Sequence, residues 1–320
     1  MLSGKKYIKI IFIIFGMIVA TTAGYSIYFA KHYPTPIIDH ISFDAKIQFI
    51  YENIDIEQMD TIVVGSSLAL NNVQGIFLEK SSEKCSHVLN LSVWSIDASQ
   101  VEQLLELADV FPNLKRIIYS GQFTSFNHAY RLKKFDADFI KKYISHQLNP
   151  IEYAAFVLNA CKDISFCAKR QKEWEKKYGQ KNKYTYLGFD HTGSAPLDIY
   201  GKDIIQARWV KVDGARVDPK ALKALSRMAK KAYKNNIKFY FVQQPYRQAH
   251  INKNKHIEDV MKTFPKQIKA ILTEHNGLFL NLHEKLKLSD KYFADRSHLN
   301  RLGSKIAAET IGEFIDKSEK

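Results

Sequence analysis

Two short segments near opposite ends of the chain hold the side chains that serine-based catalysis needs. An apolar run ends in Gly65-Ser66-Ser67, and Asp295-Arg296-Ser297-His298 precedes the last helical pattern. A serine becomes a nucleophile when a base takes its proton, and a histidine base needs a carboxylate to orient it and balance its charge. Because Asp295 and His298 lie so close in sequence, one loop can present both to a distant serine. The pattern predicts ester hydrolysis or acyl transfer, with Ser66 or Ser67 as the nucleophile.

Both segments also admit purely structural roles. Serines often cap helices, and Asp295 or Asn300 is suited to cap the helix predicted to follow. That interpretation accounts for one polar residue at a time. Nucleophilic chemistry accounts for the serine, the histidine and the carboxylate together.

Five short apolar runs define the elements that would position these residues. The runs occupy 61–64, 87–91, 116–119, 237–242 and 278–282. Their nearly continuous apolar character is typical of strands buried on both faces, and helical patterns lie between them. This alternation predicts an α/β fold with three α/β/α layers around a mostly parallel five-stranded sheet. Ser67 then follows the first strand at the carboxyl edge of the sheet, where open α/β folds bind ligands.

An insertion at 123–210 interrupts the alternation after the third predicted strand. Its segment 143–176 has a helical pattern, and 184–199 is rich in aromatic residues, Gly and Asp. Asp218-Pro219 then predicts the start of the helix at which the alternation resumes. Long insertions after strand ends often build the substrate side of a site. The alternative is a lid or packing element without substrate contacts.

The N-terminal region predicts a membrane anchor. Residues 10–30 are apolar and long enough to cross a bilayer core as a helix, and Lys5, Lys6 and Lys9 precede them. The positive charges before the run favour a single-pass protein with residues 1–9 as a cytoplasmic tail. Residues 31–60 are then a connector, and a periplasmic or extracellular domain occupies 61–320. The alternative is a cleaved secretory signal, although 21–23 is a poor cleavage site.

The cysteines and histidines of the sequence limit the disulfide and metal chemistry that the protein can carry. Cys161 and Cys167 are close enough to form a disulfide outside the cytoplasm, which leaves Cys85 free; three reduced thiols are the alternative. The Cys and His spacings predict no metal site, and we expect no cofactor.

The net charge of +14 predicts anionic neighbours such as headgroups or acidic glycans. Dispersed lysines and the anchor argue against nucleic acid.

The two terminal segments resemble those of the SGNH (GDSL-type) hydrolase superfamily. Gly65-Ser66-Ser67 and Asp295-x-x-His298, with Leu299-Asn300 and Gly303, are similar to its first and last blocks over about 61–320. The resemblance is closest to membrane-anchored, cell-envelope members such as polysaccharide O-acetyltransferase-type proteins and the D-alanyl-lipoteichoic acid transfer protein. It implies a flavodoxin-like sheet, with Ser67 as the nucleophile, His298 as the base and Asp295 as the orienting carboxylate.

The resemblance also implies positions for oxyanion and substrate contacts. Ser95 occupies the position of a family Gly whose backbone N–H serves the oxyanion hole. The third block falls near Gln122, which is the best positional match, with Asn127 as the alternative. Arg247 follows the fourth predicted strand and is a candidate contact for an anionic substrate, or else a solvated rim residue.

The expected function is that of an anchored serine esterase or O-acyltransferase. Its substrates would be acyl esters, in the first place acetyl esters, of cell-envelope glycans, and a multi-spanning membrane acyltransferase is a candidate partner. The alternative is a non-catalytic scaffold or glycan-binding subunit of an envelope polysaccharide-modification assembly. Gln122 and Ser95 depart from the family's usual residues, which favours that alternative.

Overall fold

A computed structural model describes residues 4–127, 133–178, 187–204 and 216–320. Parts of the predicted insertion, at 128–132, 179–186 and 205–210, lie outside these described residues. The chain divides into two compact units. The first comprises Met1–Glu52 and Asp138–Leu187, and the second comprises Asn53–Ala137 and Gly188–Lys320.

The second unit contains a five-stranded sheet in which every pair of neighbouring strands is parallel. The strands are β1 (Thr61–Val64), β2 (Val88–Asn90), β3 (Arg116–Gly121), β4 (Lys238–Gln243) and β5 (Leu278–Asn281). Their order across the sheet is β2-β1-β3-β4-β5. The predicted α/β class and the five predicted strands are confirmed, and the sheet is wholly rather than mostly parallel. In this order the chain changes direction between β1 and β3, which places a crevice at their carboxyl ends.

Helices occupy most of the remaining described chain. In chain order the α-helices are α1 (Gly4–His32), α2 (Ile41–Asn53), α3 (Ser67–Asn72), α4 (Gly75–Ser81), α5 (Ala98–Leu104), α6 (Ala137–Ile144), α7 (Pro150–Leu158), α8 (Ile164–Tyr178), α9 (Pro219–Lys234), α10 (Gln248–Ile251), α11 (Lys255–Thr273), α12 (Leu282–Leu286) and α13 (Arg301–Ser318). Short 3₁₀ helices are Leu105–Val110, Phe123–Phe126, Gly201–Asp203 and Asp290–Tyr292. Asp218 caps α9 as predicted, because its carboxylate accepts the backbone N–H of Lys220.

The core of the second unit forms where the apolar strands meet the helices. Val63, Ile118 and Val242 of the central strands are buried together with Ala307 and Ile311 of α13. Helix α13 packs on α3 and α4, whereas α9 packs on α5 and α11. Because α13 closes over α3, the last helix of the chain is placed beside the turn that carries Ser67.

The first unit does not follow the domain boundaries predicted from the sequence. The predicted connector contains α2, and most of this helix is buried. Asp44 of α2 forms a buried ion pair with Arg170 of α8, in which Nη2 lies 2.8 Å from Oδ2. The segment 143–176 is not one helix, because Pro150 begins α7 and a turn separates α7 from α8. Part of the insertion therefore folds with the N-terminal region and not with the sheet.

Two sequence predictions for the first unit can be compared directly with the structure. Cys161 and Cys167 form a disulfide, and Cys85 is a buried free thiol in the second unit, so the predicted pairing is confirmed. Helix α1 is long and apolar enough to cross a membrane, a property that a signal sequence shares.

Candidate active site

The turn after β1 places Ser67 at the carboxyl edge of the sheet. Strand β1 ends at Val64, and Ser67 is the first residue of α3. Ser66 is the N-cap: it is mostly buried, and its hydroxyl accepts the backbone N–H of Leu68 at 3.4 Å. The cap thus directs the Ser66 hydroxyl back to the helix, and Ser67 is the serine left for chemistry.

Gly65 gives this turn its shape. Its φ of +151° lies in a region that side-chain-bearing residues rarely adopt. A Cβ atom at this position would overlap the carbonyl oxygen of Ser120 on β3 and lie 2.7 Å from the Cβ of Ala69. The close approach of β3 and α3 therefore requires glycine between strand and helix.

We expect Gly65→Ala to unfold more readily than the parent chain, by about 1–3 kcal/mol, because overpacking adds to backbone strain. Gly188→Ala is the matched control, since Gly188 also has a positive φ (+63°) but its Cβ would meet open space. Thermal melts of the full chain in detergent would compare the two variants. Equal melting temperatures for both variants would contradict a steric requirement at Gly65.

A hydrogen-bonded loop carries Asp295 and His298. Asp295 Oδ1 accepts the backbone N–H groups of Ser297 and His298, at 2.8 and 2.7 Å. The backbone N–H of Ala294 donates to the carbonyl oxygen of His298 at 2.8 Å, which closes the loop. Because the carboxylate folds its own loop, it holds His298 in place before any distant contact is made.

The residues after His298 attach this loop to α13. Asn300 is the N-cap of α13, where its Oδ1 accepts the backbone N–H of Gly303 at 3.1 Å. Its Nδ2 donates to the carbonyl oxygen of Lys291 at 2.7 Å. A Cβ at Gly303 would overlap the carbonyl oxygen of Tyr292. The pattern Leu299-Asn300-x-x-Gly303 therefore has a structural cause in the capping of α13.

The loop meets the serine turn in a continuous chain of hydrogen bonds. His298 Nε2 lies 2.9 Å from Ser67 Oγ, and His298 Nδ1 lies 2.7 Å from Asp295 Oδ2. This order allows Nδ1–H to donate to the carboxylate while Nε2 accepts the serine proton. The arrangement has the geometry of a nucleophile, a base and an orienting acid. The structure thus brings together the three residues predicted to be catalytic.

The electrostatics favour an ionised carboxylate at Asp295. Burial alone would raise the pKa of this group, which is only 4% exposed. The hydrogen bond and charge of His298, with the two backbone N–H donors, outweigh burial and lower the pKa of Asp295 to about 2. An ionised carboxylate at neutral pH can stabilise the imidazolium that forms when His298 accepts a proton.

The lowered pKa predicts a contribution to stability that acid removes. The folded-state pKa lies below the unfolded value of about 4, so the ionised carboxylate stabilises the fold above that pH by about 2 kcal/mol. This contribution is lost as the pH falls from about 4 towards 2. We expect Asp295→Asn to melt well below the parent at pH 7 and closer to it at pH 3. A melting gap that does not change with pH would contradict this.

Ser95 lies in the loop after β2 and has an unusual backbone conformation. Its φ is +52°, a left-handed value that glycine adopts most easily, and its side chain is exposed. The same loop runs beside the end of β1, where the backbone N–H of Val93 donates to the carbonyl oxygen of Gly65 at 3.3 Å. The contribution of the Ser95 backbone N–H to an oxyanion hole stays a prediction.

Gln122 and Asn127 are the next two residues predicted to contact an oxyanion or a substrate. Gln122 is 0% exposed; its Nε2 donates to the carbonyl oxygen of Gln244 at 2.6 Å, and its Oε1 accepts the backbone N–H of Phe123. Gln122 therefore joins the ends of β3 and β4 and has no surface for a substrate. Asn127 is half-buried at the end of a 3₁₀ helix. Neither residue is hydrogen-bonded to Ser67, Asp295 or His298.

Arg247 is buried and does not present its charge to solvent. Its Nη2 lies 2.7 Å from Oδ2 of Asp290, and this hydrogen bond lowers the pKa of that carboxyl. Its backbone N–H donates to the carbonyl oxygen of Arg296 at 2.8 Å. Arg247 thus supports the loop that carries His298. The alternative of a solvated rim residue is wrong, because Arg247 is buried and paired with Asp290. The contact with an anionic substrate stays a prediction.

Sequence analysis missed two buried asparagines that hold the site together. Asn72 of α3 accepts the backbone N–H of Leu299 at 2.8 Å and donates to the carbonyl oxygen of Ser297 at 3.0 Å. Asn90 of β2 donates to the carbonyl oxygens of Ala69 and Val73, at 3.1 and 3.0 Å. Asn72 therefore clamps the peptide groups on both sides of His298, and Asn90 fixes α3 on the sheet. The sequence signal that could have identified both asparagines is an amide side chain within an apolar run.

Across the described ranges, no group of three or more His, Cys, Asp or Glu side chains is arranged to bind a metal ion. A scan against models of known protein families and a search of curated proteins both find no match for this chain.

Proposed function

We propose that this protein is a membrane-anchored serine esterase or O-acyltransferase of the SGNH type, acting on acyl esters of cell-envelope glycans. The observation that carries the proposal is the hydrogen-bonded chain from Ser67 through His298 to Asp295. The parallel sheet, with α3, α4 and α13 in one packed group and α5, α9 and α11 in another, is consistent with three layers of this type. The glycine-like φ of Ser95 adds support at a third family position.

The proposed reaction begins with attack of Ser67 Oγ on the acyl carbon while its proton passes to His298 Nε2. Asp295 stabilises the resulting imidazolium, and backbone N–H groups of Ser67 and Ser95 stabilise the oxyanion. His298 then protonates the leaving alkoxide, which leaves the acyl group on Ser67. Water or a sugar hydroxyl then attacks the acyl carbon while its proton passes to His298. The imidazolium returns that proton to Ser67 Oγ as the bond between the acyl carbon and the serine breaks. The acyl acceptor therefore decides between hydrolysis and transfer. A multi-spanning membrane acyltransferase is a candidate partner.

A second candidate is a non-catalytic scaffold or glycan-binding subunit. It is favoured by the burial of Gln122, since that side chain is not available to an oxyanion. A fluorophosphonate probe separates the two candidates, because it reacts only with an activated serine. We expect labelling of the parent chain at Ser67, identified by peptide mass spectrometry, and none in His298→Ala. An unlabelled parent chain that melts cooperatively would favour the scaffold.

The proposed topology yields a separate prediction. We expect a reporter enzyme that folds only in an oxidising compartment to be active when fused after Lys320, because the lysines in the first turns of α1 favour a cytoplasmic N-terminus. A fluorescent protein that matures only in the cytoplasm should be dark in the same position. The opposite pattern would place the site inside the cell and would contradict an envelope substrate.

A further inference from the structure

The first unit carries an apolar helix that the rest of the unit covers only in part: the Phe156 ring packs on Tyr143, and the Tyr153 ring lies beside Tyr51. Helix α7 has the sequence Pro-Ile-Glu-Tyr-Ala-Ala-Phe-Val-Leu, and none of its residues is buried. Ile151 is 82% exposed, and Tyr153 and Leu158 are also exposed. The one charged residue, Glu152, is tied into the N-terminal capping box with Asn149. Short helices normally depend on burial of an apolar face, so this face needs a partner.

The position of α7 beside α1 indicates what that partner is. Every residue of α1 from Lys5 to Thr21 is exposed, and the first buried residue is Ser26. Ser26 lies about 30 Å along the helix axis from Lys5, which is the thickness of a bilayer core. Helix α7 contacts α1. Because residues 5–21 are all exposed, burial of α1 by neighbouring helices is confined to its last turns, and we assign the contact with α7 to this end of the helix, where α1 would leave the bilayer.

Covalent and polar contacts attach α7 to this end of α1. The disulfide between Cys161 and Cys167 links the end of α7 to α8. Helix α8 is in turn bonded to α1 and the residue after it: the Tyr25 hydroxyl donates to Gln171 at 3.0 Å, and the Tyr33 hydroxyl donates to Glu175 at 2.7 Å. Tyrosines are enriched where membrane helices cross the headgroup region. The exposed apolar face of α7 is thereby held beside the C-terminal end of α1.

We propose that α7 is a second membrane contact, whose exposed apolar side chains lie in the interface of the bilayer that α1 spans. The inference rests on the proposed anchoring through α1. Helices of this kind bury their apolar side about 5–10 Å into the boundary between headgroups and acyl chains. The first unit then sits directly on the membrane surface, without a flexible linker after α1.

Nitroxide labels on the full-length chain in phosphatidylcholine–phosphatidylglycerol vesicles test this proposal. Single cysteines are introduced as Ile151→Cys, Phe12→Cys within α1, and Tyr233→Cys on α9 as an exposed aromatic outside the first unit (70% and 58% exposed for Phe12 and Tyr233). Because Cys85 is buried, the unsubstituted chain measures background labelling. Collisions with lipid-soluble oxygen are compared with collisions with a water-soluble nickel chelate.

We expect oxygen collisions to exceed nickel collisions severalfold at 151 and 12, and the reverse at 233. If 151 is as open to nickel as 233 while 12 is protected, the anchor stands and the proposal for α7 is wrong. If 12 is also open to nickel, the anchoring itself is wrong. A label at 151 that is shielded from both reagents would mean that protein covers α7, which also overturns the proposal.

Discussion

Ser67→Ala and His298→Ala are each expected to lower acyl release from an aryl acetate by on the order of 10⁴-fold or more. Ser67 Oγ and His298 Nε2 are 2.9 Å apart and share one proton-transfer step, so loss of either group disables the same step. The double variant should therefore be little worse than either single variant. Multiplicative losses would show that the two residues act independently and would contradict a common mechanism.

Two further variants define the roles within the same group. Asp295→Asn should also be severely impaired, because an amide N–H facing His298 Nδ1 forces the imidazole proton onto Nε2, where it cannot accept from Ser67. Ser66→Ala should retain substantial activity, since the Ser66 hydroxyl caps α3 whereas the Ser67 hydroxyl is bonded to His298. Thermal melts of all four variants would identify losses caused by unfolding. A dead Ser66→Ala with a normal melt would move the nucleophile by one residue.

Asn72→Leu is expected to have the largest effect on stability outside the three central residues. It leaves the N–H of Leu299 and the carbonyl of Ser297 buried without a partner, at about 1–3 kcal/mol for each group. The loop around His298 would then lose its fixed position, so we expect fluorophosphonate labelling to slow by more than the melting shift explains. Asn72→Asp keeps the acceptor for Leu299 and should fall between Asn72→Leu and the parent.

The neighbouring asparagine provides the matched control for this prediction. Asn71 is also buried in α3, but its Nδ2 donates to the carbonyl oxygen of Ala195 at 2.6 Å and not to the loop of His298. Asn71→Leu should lower the melting temperature while labelling of the folded protein continues at nearly the parent rate. Equal losses of labelling in both variants would show that Asn72 has no specific positioning role.

Local patterns in the sequence were sufficient to predict the strands and the chain positions of Ser67, Asp295 and His298. Buried parallel strands are continuous apolar runs, and the Asp295 loop is closed by contacts between residues at most a few positions apart. Such features depend only on residues that are close together in the sequence. The meeting of Ser67 with His298 was predicted from the chemistry of the three residue types, whereas the strand order was not predicted from the sequence.

The misses share a different physical origin. Whether Gln122 faces a substrate or joins two strand ends depends on the position of Gln244, far away in the sequence. Asn72 has the same dependence on Ser297 and Leu299. The burial of α2 likewise depends on Arg170, which lies in the insertion. A polar side chain has several possible partners, and tertiary packing alone selects among them.

The span of 231 residues between Ser67 and His298 has a consequence for how the protein is made. While a ribosome is still synthesising the chain, the serine turn has been built but its base has not. A nascent polypeptide that stops short of His298 therefore carries no complete group of Ser67, His298 and Asp295. Helix α13 must also dock on α3 before the two halves meet. The chemistry proposed here thus becomes available only after synthesis has passed His298.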